Sequence, residues 1–174
     1  WEVRGWSRRG TAPEGVTARS VDLCQADSYQ QAVAQLHTDG FFPDLLIHAA
    51  GAARINHLAL AGDAEIEQQW QLNLRAAIWL VRDISRLMRQ NTDGGTQLFF
   101  SSVAVPLQLE GESLYAITKA GTEQLVQQAA VEFAPWKIRI NCLGPGPVDT
   151  PLWRTVPATA KAKLLAQLQP PTLT

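Results

Sequence analysis

The sequence predicts an α/β fold built on a doubly wound parallel sheet. Three observations lead there: short β-rich runs alternate with helical patterns of ten or more residues, one run is continuously apolar, and turn formers punctuate the joins. Strands separated by whole helices pair in parallel, because each connection must cross a face of the sheet. At 174 residues the chain is the size of a single domain, 1–174, and is long enough to bury a sizeable core.

The elements follow in order. WEVRGWS (1–7) and GVTARSVDL (15–23) read as short strands around a Gly/Pro turn. DSYQQAVAQLHTDG (27–40) reads as a helix: Asp27 or Ser28 caps its first turn, Ala32, Val33 and Leu36 form an apolar stripe, and Gly40 ends it. DLLIHAAG (44–51) has the unbroken apolar character of a strand buried on both faces. Residues 63–90 carry Trp70, Leu74, Ala77, Ile78, Val81, Ile84 and Met88 at helical spacing, with acids in the first turn, and NTDGG stops this helix. TQLFFSS (96–102) is a strand. A loop runs from it to Glu112, then a helix over 113–134, the strand KIRINCL (137–143), a GPGP turn, and a last helix over 158–168.

Composition excludes several function classes. Apolar residues make up 46%, charged residues 18%, and the formal net charge is -1, so no basic surface is expected to track nucleic acid. The longest apolar runs, such as AAIWLV (76–81), fall far short of the roughly 18 residues a spanning helix needs, and a membrane role is not expected. Cys24 and Cys142 are expected as reduced thiols in a cytoplasmic protein. His37 and His57 show no metal-ligand spacing, no metal site is expected, and His48 reads as a strand-end residue.

In a parallel sheet, ligands sit beyond the carboxyl ends of the strands. Arg8 and Arg9, Asp22, His48 to Gly51, Ser101 and Ser102, and Gly144 to Thr150 all fall there. Tyr115 and Lys119 lie at i and i+4, on one helix face. A free phenol titrates near 10, too high for efficient proton transfer at neutrality, and the Lys119 ammonium is expected to pull it down. Ser102, whose hydroxyl both donates and accepts, can hold the same substrate oxygen. Carbonyl reduction or alcohol oxidation at such a site requires a hydride, which no side chain supplies, so a nicotinamide cofactor is implied.

The ordered set Asp22-Leu23, HAAG (48–51), Asn73 in QLNLRAAI, Ser102 in FFSSVA, YAITK (115–119) and INCLGPGPVDT (140–150) resembles the classical short-chain dehydrogenase/reductase family over nearly the whole chain. The resemblance implies a Rossmann-like sheet and a catalytic tetrad of Asn73, Ser102, Tyr115 and Lys119, with Asn73 kinking the long helix and holding a water in a proton relay. It also implies cofactor contacts: Asp22 and Leu23 at the adenine, Ala49, Ala50 and Gly51 along the adenosine ribose, Lys119 on the nicotinamide ribose, and Pro145, Gly146, Val148 and Thr150 around the nicotinamide. The first strand ends in Arg8 and Arg9 with no acid, which favours NADP(H) over NAD(H), and Arg8 stands nearer the strand end.

The pattern departs from the family at two places: Ala49 stands where asparagine is usual, and Val105 where glycine often follows the serine motif. The family's opening strand and glycine-rich turn, which cradle the pyrophosphate, have no counterpart here, nor does its last strand, so the sheet is expected to be incomplete at both ends. The missing strand would lie between the strands at 2–7 and 45–48. Two alternatives stay open: a non-catalytic fragment or interaction module, and an extended-type sugar-nucleotide epimerase or dehydratase. As partners, the resemblance implies a small carbonyl or alcohol substrate and a homodimer or homotetramer formed through the two long helices, with Trp79, Leu125, Val126 and Phe133 at the contact. Val103, Leu109, Glu110 and a lid of Pro151, Leu152 and Trp153 are expected to border an apolar ketone or a 3-oxoacyl group.

Overall fold

The computed structural model describes residues 1–154, 156 and 158–167. Strands β1 (Val3–Ser7) and β2 (Val16–Ser20) pair in parallel, and β3 (Leu45–His48), β4 (Gly95–Phe100) and β5 (Ile138–Leu143) form a second parallel sheet in that order. Among the described residues no strand joins β1 to β3. The parallel α/β architecture is therefore present, divided at the place the sequence indicates.

Helix α1 (Ala26–Thr38) links the two sheets. Trp6 of β1 meets Tyr29 edge-on with ring centroids 6.4 Å apart, and Tyr29 stacks on Trp79 at 5.1 Å. The Tyr29 hydroxyl donates to Asp83 at 3.0 Å, so its one polar atom stays satisfied inside the core. The helix starts one residue before Asp27, and neither expected cap is used: Ser28 Oγ instead accepts from the Asp22 N–H at 2.9 Å. Its far end does stop at Gly40, whose φ of 64° is a conformation glycine adopts without steric cost.

The long central helix is three segments: α2 (Asp63–Gln69), a π-helical turn over Trp70–Arg75, and α3 (Ala76–Met88). Asn73 lies within that wider turn. α3 and α5 (Ser113–Phe133) pack on β4 and β5, and the core gathers Leu80, Val81, Ile84, Met88, Phe99, Val126, Ile138 and Ile140.

Three expectations fail. β3 is not buried on both faces: Leu45 and Ile47 are 52% and 56% exposed, because the helices cover only the face carrying Leu46 and His48. The loop after Ser102 contains a short helix, α4 (Ala104–Leu107), and another, α6 (Pro151–Arg154), precedes α7 (Ala158–Gln167). Val126, expected at a partner contact, is instead buried in the chain's own core, and Trp79, Leu125 and Phe133 pack half-buried against that core. The side chains of Pro151 and Leu152 lie outside the described residues, so the lid is represented by Trp153 alone. No described helix is long and apolar enough to cross a membrane.

Candidate active site

The site is built where the carboxyl end of β4 meets the first turns of α5. Helical geometry puts Tyr115, Lys119 and Glu123 in one row, and each lies against one of the three consecutive residues Phe100, Ser101 and Ser102 at the end of β4. Ser102 is near enough to Tyr115 to pull its phenol down, Lys119 Nζ donates to the Phe100 carbonyl at 2.8 Å, and the Ser101 hydroxyl donates to the Glu123 carboxylate. The two serines are thereby separated in role: Ser102 faces Tyr115, while Ser101 is turned away toward a cavity of about 380 Å³ lined by Glu123, Cys142 and Gly144. Ser102 Oγ also accepts from the Ala104 N–H at 3.1 Å, which orients the hydroxyl at the start of α4.

Asn73 closes the site from the π-turn. Its side-chain oxygen accepts from the Ala52 N–H at 2.9 Å, and its amide nitrogen donates to the Ala52 carbonyl at 2.8 Å and to Thr118 Oγ1 at 3.1 Å. One buried amide thus ties the segment after β3 to α5. Thr118 and Ala52 went unnoticed in the sequence, although Thr118 is the immediate neighbour of Lys119. A Cβ added to Gly51 would stand 3.4 Å from Asn73 Oδ1 and 3.6 Å from Lys119 Nζ, so glycine leaves this rim open beside the lysine.

The electrostatics differ from the expectation for Tyr115. Its phenol is held above the usual value, chiefly by burial, with Ser102 pulling it down and the Glu112 carboxylate pushing it up. Lys119 is held below the usual ammonium value, again by burial. The ammonium lies 5.7 Å from the ring centroid and donates to the Phe100 carbonyl, and it is not among the groups that set the direction for the phenol. With its phenol raised, Tyr115 is protonated at neutral pH, a state suited to delivering a proton. His48 is buried against Phe99, with ring centroids 5.5 Å apart, and desolvation together with the Lys119 charge pushes its imidazole down to about 4.

The remaining predicted positions are spread along the rim. Ala49, Ala50 and Gly51 are exposed after β3, as are Pro145, Gly146 and Val148 after β5, and the Val103 N–H donates to the Pro145 carbonyl at 3.2 Å, joining that turn to the Ser102 segment. Thr150 Oγ1 accepts from the Trp153 N–H at 3.3 Å. Asp22 lies on the other sheet, where Oδ1 accepts from the Cys24 N–H at 2.9 Å, and Leu23 packs on the core. Burial holds the Cys24 thiol above its usual value, and the exposed Arg8 guanidinium is near enough to oppose that in part. No described contact links these three residues to Tyr115.

The chain as a whole is similar to known proteins. A family model described as enoyl-(acyl carrier protein) reductase matches residues 7–171. The chain belongs to the short-chain dehydrogenase/reductase family. Within that family it is similar to L-xylulose reductase from Mus musculus, at 29% identity over 153 residues, covering 86% of this chain and 61% of that protein. It is also similar to (3R)-3-hydroxyacyl-CoA dehydrogenase from Canis lupus familiaris, at 24% identity over 170 residues and 97% and 66% coverage. The chain thus spans about three fifths of the length of these curated relatives. A solved structure of 4-hydroxyisoleucine dehydrogenase complexed with NADH shares the fold with a TM-score of 0.86 at 21% identity, over 99% of this chain and 73% of that one.

Proposed function

We propose that this short-chain dehydrogenase/reductase chain carries the acid–base half of an NAD(P)H-dependent oxidoreductase that interconverts a ketone, or a 3-oxoacyl group, and an alcohol. The observation that supports this most is the Ser102–Tyr115–Lys119 row on β4 and α5. Tyr115, protonated at neutral pH, gives its proton to the carbonyl oxygen on reduction and takes one from the alcohol on oxidation. Ser102 holds that oxygen. Asn73 acts by anchoring Ala52 and Thr118, which keeps the β3 rim and α5 at a fixed spacing around Lys119.

A nicotinamide nucleotide bound here would supply or accept the hydride. The residues present fit its nicotinamide half: the bare Gly51 rim leaves room beside Lys119 for the ribose, and Pro145, Gly146, Val148 and Thr150 border the ring. Ala49 and Ala50 would line the adenosine ribose, and Asp22 and Leu23 the adenine. Arg8 favours NADP(H) over NAD(H), because a guanidinium pairs with the additional phosphate. No described glycine-rich turn cradles a pyrophosphate, and no residue is assigned to it. A homodimer or homotetramer would use the exposed apolar residues of α3 and α5, Ile78, Ile117 and Val131, which are 37%, 61% and 76% exposed.

Fluorescence titration of NADPH and NADH tests the cofactor reading. The chain by itself should bind weakly or not at all, and a form preceded by a glycine-rich strand and turn should bind, NADPH more tightly. In that form Tyr115→Phe should abolish carbonyl reduction while leaving cofactor binding nearly intact. Retained turnover would remove Tyr115 from the mechanism.

A further inference from the structure

Thr118 lies on the buried side of α5, and its hydroxyl works in two directions. It donates to the Tyr115 carbonyl at 2.8 Å and accepts from Asn73 Nδ2 at 3.1 Å. One turn further on, the buried Thr122 hydroxyl reaches the Thr118 carbonyl at 3.0 Å and the Asn73 carbonyl at 3.3 Å. The π-turn is thus held to α5 through both the side-chain amide and the main-chain carbonyl of Asn73. Glycine allows the two to seat closely, since a Cβ added to Gly121 would stand 2.7 Å from Leu74 Cδ2.

The two threonines differ in what they hold. A hydroxyl inside a helix commonly bonds back to a carbonyl one turn earlier, and each does so here. Only the Thr118 hydroxyl does this on the residue that bears the phenol, while accepting a donor from another element. That residue needs an anchor: Tyr115 is the third residue of α5, the helix begins without a side-chain cap, and the first turn is where a helix has fewest hydrogen bonds of its own. Asn73 is itself tied to Ala52, so the anchor is a buried network whose members lose partners if they part. We infer that Thr118 is a positioning residue: through its bonds to Asn73 and to the Tyr115 carbonyl it fixes the first turn of α5, so that the acid is presented from one place. This rests on the oxidoreductase reading, in which Tyr115 is that acid.

Tyrosinate absorbance of Tyr115 tests this on the chain without cofactor. Burial is the main cause that raises the phenol, so a first turn released from Asn73 admits water and lowers the midpoint. Thr118→Val, which keeps the shape and removes the hydroxyl, and the smaller Thr118→Ala should each lower it by about half a pH unit or more. Thr118→Ser should restore it. Thr122→Val, which cuts a bond to Asn73 without touching the Tyr115 carbonyl, should reduce stability to denaturant and leave the midpoint in place. In the form preceded by a glycine-rich strand and turn, Thr118→Val should lower kcat for carbonyl reduction about tenfold with KM little changed, and Thr118→Ser should recover it. An unmoved midpoint in both the valine and alanine variants, a shift that serine does not undo, or an equal shift in Thr122→Val overturns the assignment. A serine-rescued shift with no nicotinamide-dependent turnover upholds the assignment and defeats the oxidoreductase reading. Turnover with a kcat indifferent to Thr118→Val does the opposite.

Discussion

Replacing Lys119 by methionine should leave the titration of Tyr115 in place. Burial lowers the lysine below its ordinary value and raises the phenol above its own, and the expectation is that these opposed shifts make Lys119 release its proton first, so that Tyr115 ionises next to a neutral amine. Removing a group that is already uncharged changes nothing at that step. Were the ammonium still charged, its 5.7 Å separation from the ring would give about 0.7 kcal/mol at the dielectric of water and about 3 kcal/mol at an effective value near 20. Either figure is a shift of about half to two pH units. The assay is tyrosinate absorbance in the near ultraviolet. It reads one residue, because the sequence has only Tyr29 and Tyr115 and burial with the Asp83 charge pushes Tyr29 far above the accessible range. A rise of half a unit or more in Lys119→Met would refute the proton order.

Other outcomes follow from the packing. The unfolded chain protonates His48 near 6.5 while the folded chain keeps it neutral down to about 4, so stability present above pH 6.5 is lost as pH falls. Chemical denaturation between pH 7 and 4 should show His48→Phe sparing about 3 kcal/mol of that loss. Asn73→Ala removes three hydrogen bonds and strands the Ala52 N–H, and should cost about 2–4 kcal/mol in the same measurement. Gly94→Ala would place a Cβ 2.3 Å from the Lys137 carbonyl oxygen at a φ of 70°, and should cost about 2–4 kcal/mol or prevent folding; full stability would contradict that close approach.

Much of this protein is local, and local features are legible in a sequence. Strand–helix alternation, the stop at Gly40 and the i, i+4 placement of Tyr115 and Lys119 depend on backbone periodicity and on what glycine permits, which the residues carry with them. The ordered motifs from Asp22 to Thr150 likewise indicated the family before any contact was known. What the tertiary structure decided is everything set by neighbours distant in sequence. The aromatic chain from Trp6 through Tyr29 to Trp79 packs Trp79 on the core. Whether Lys119 lowers the Tyr115 phenol depends on how far each is dried and on the Phe100 carbonyl taking the ammonium, and spacing along one helix says nothing of either. Desolvation is a property of the assembled fold, and here it fixed the direction of every large shift at the site.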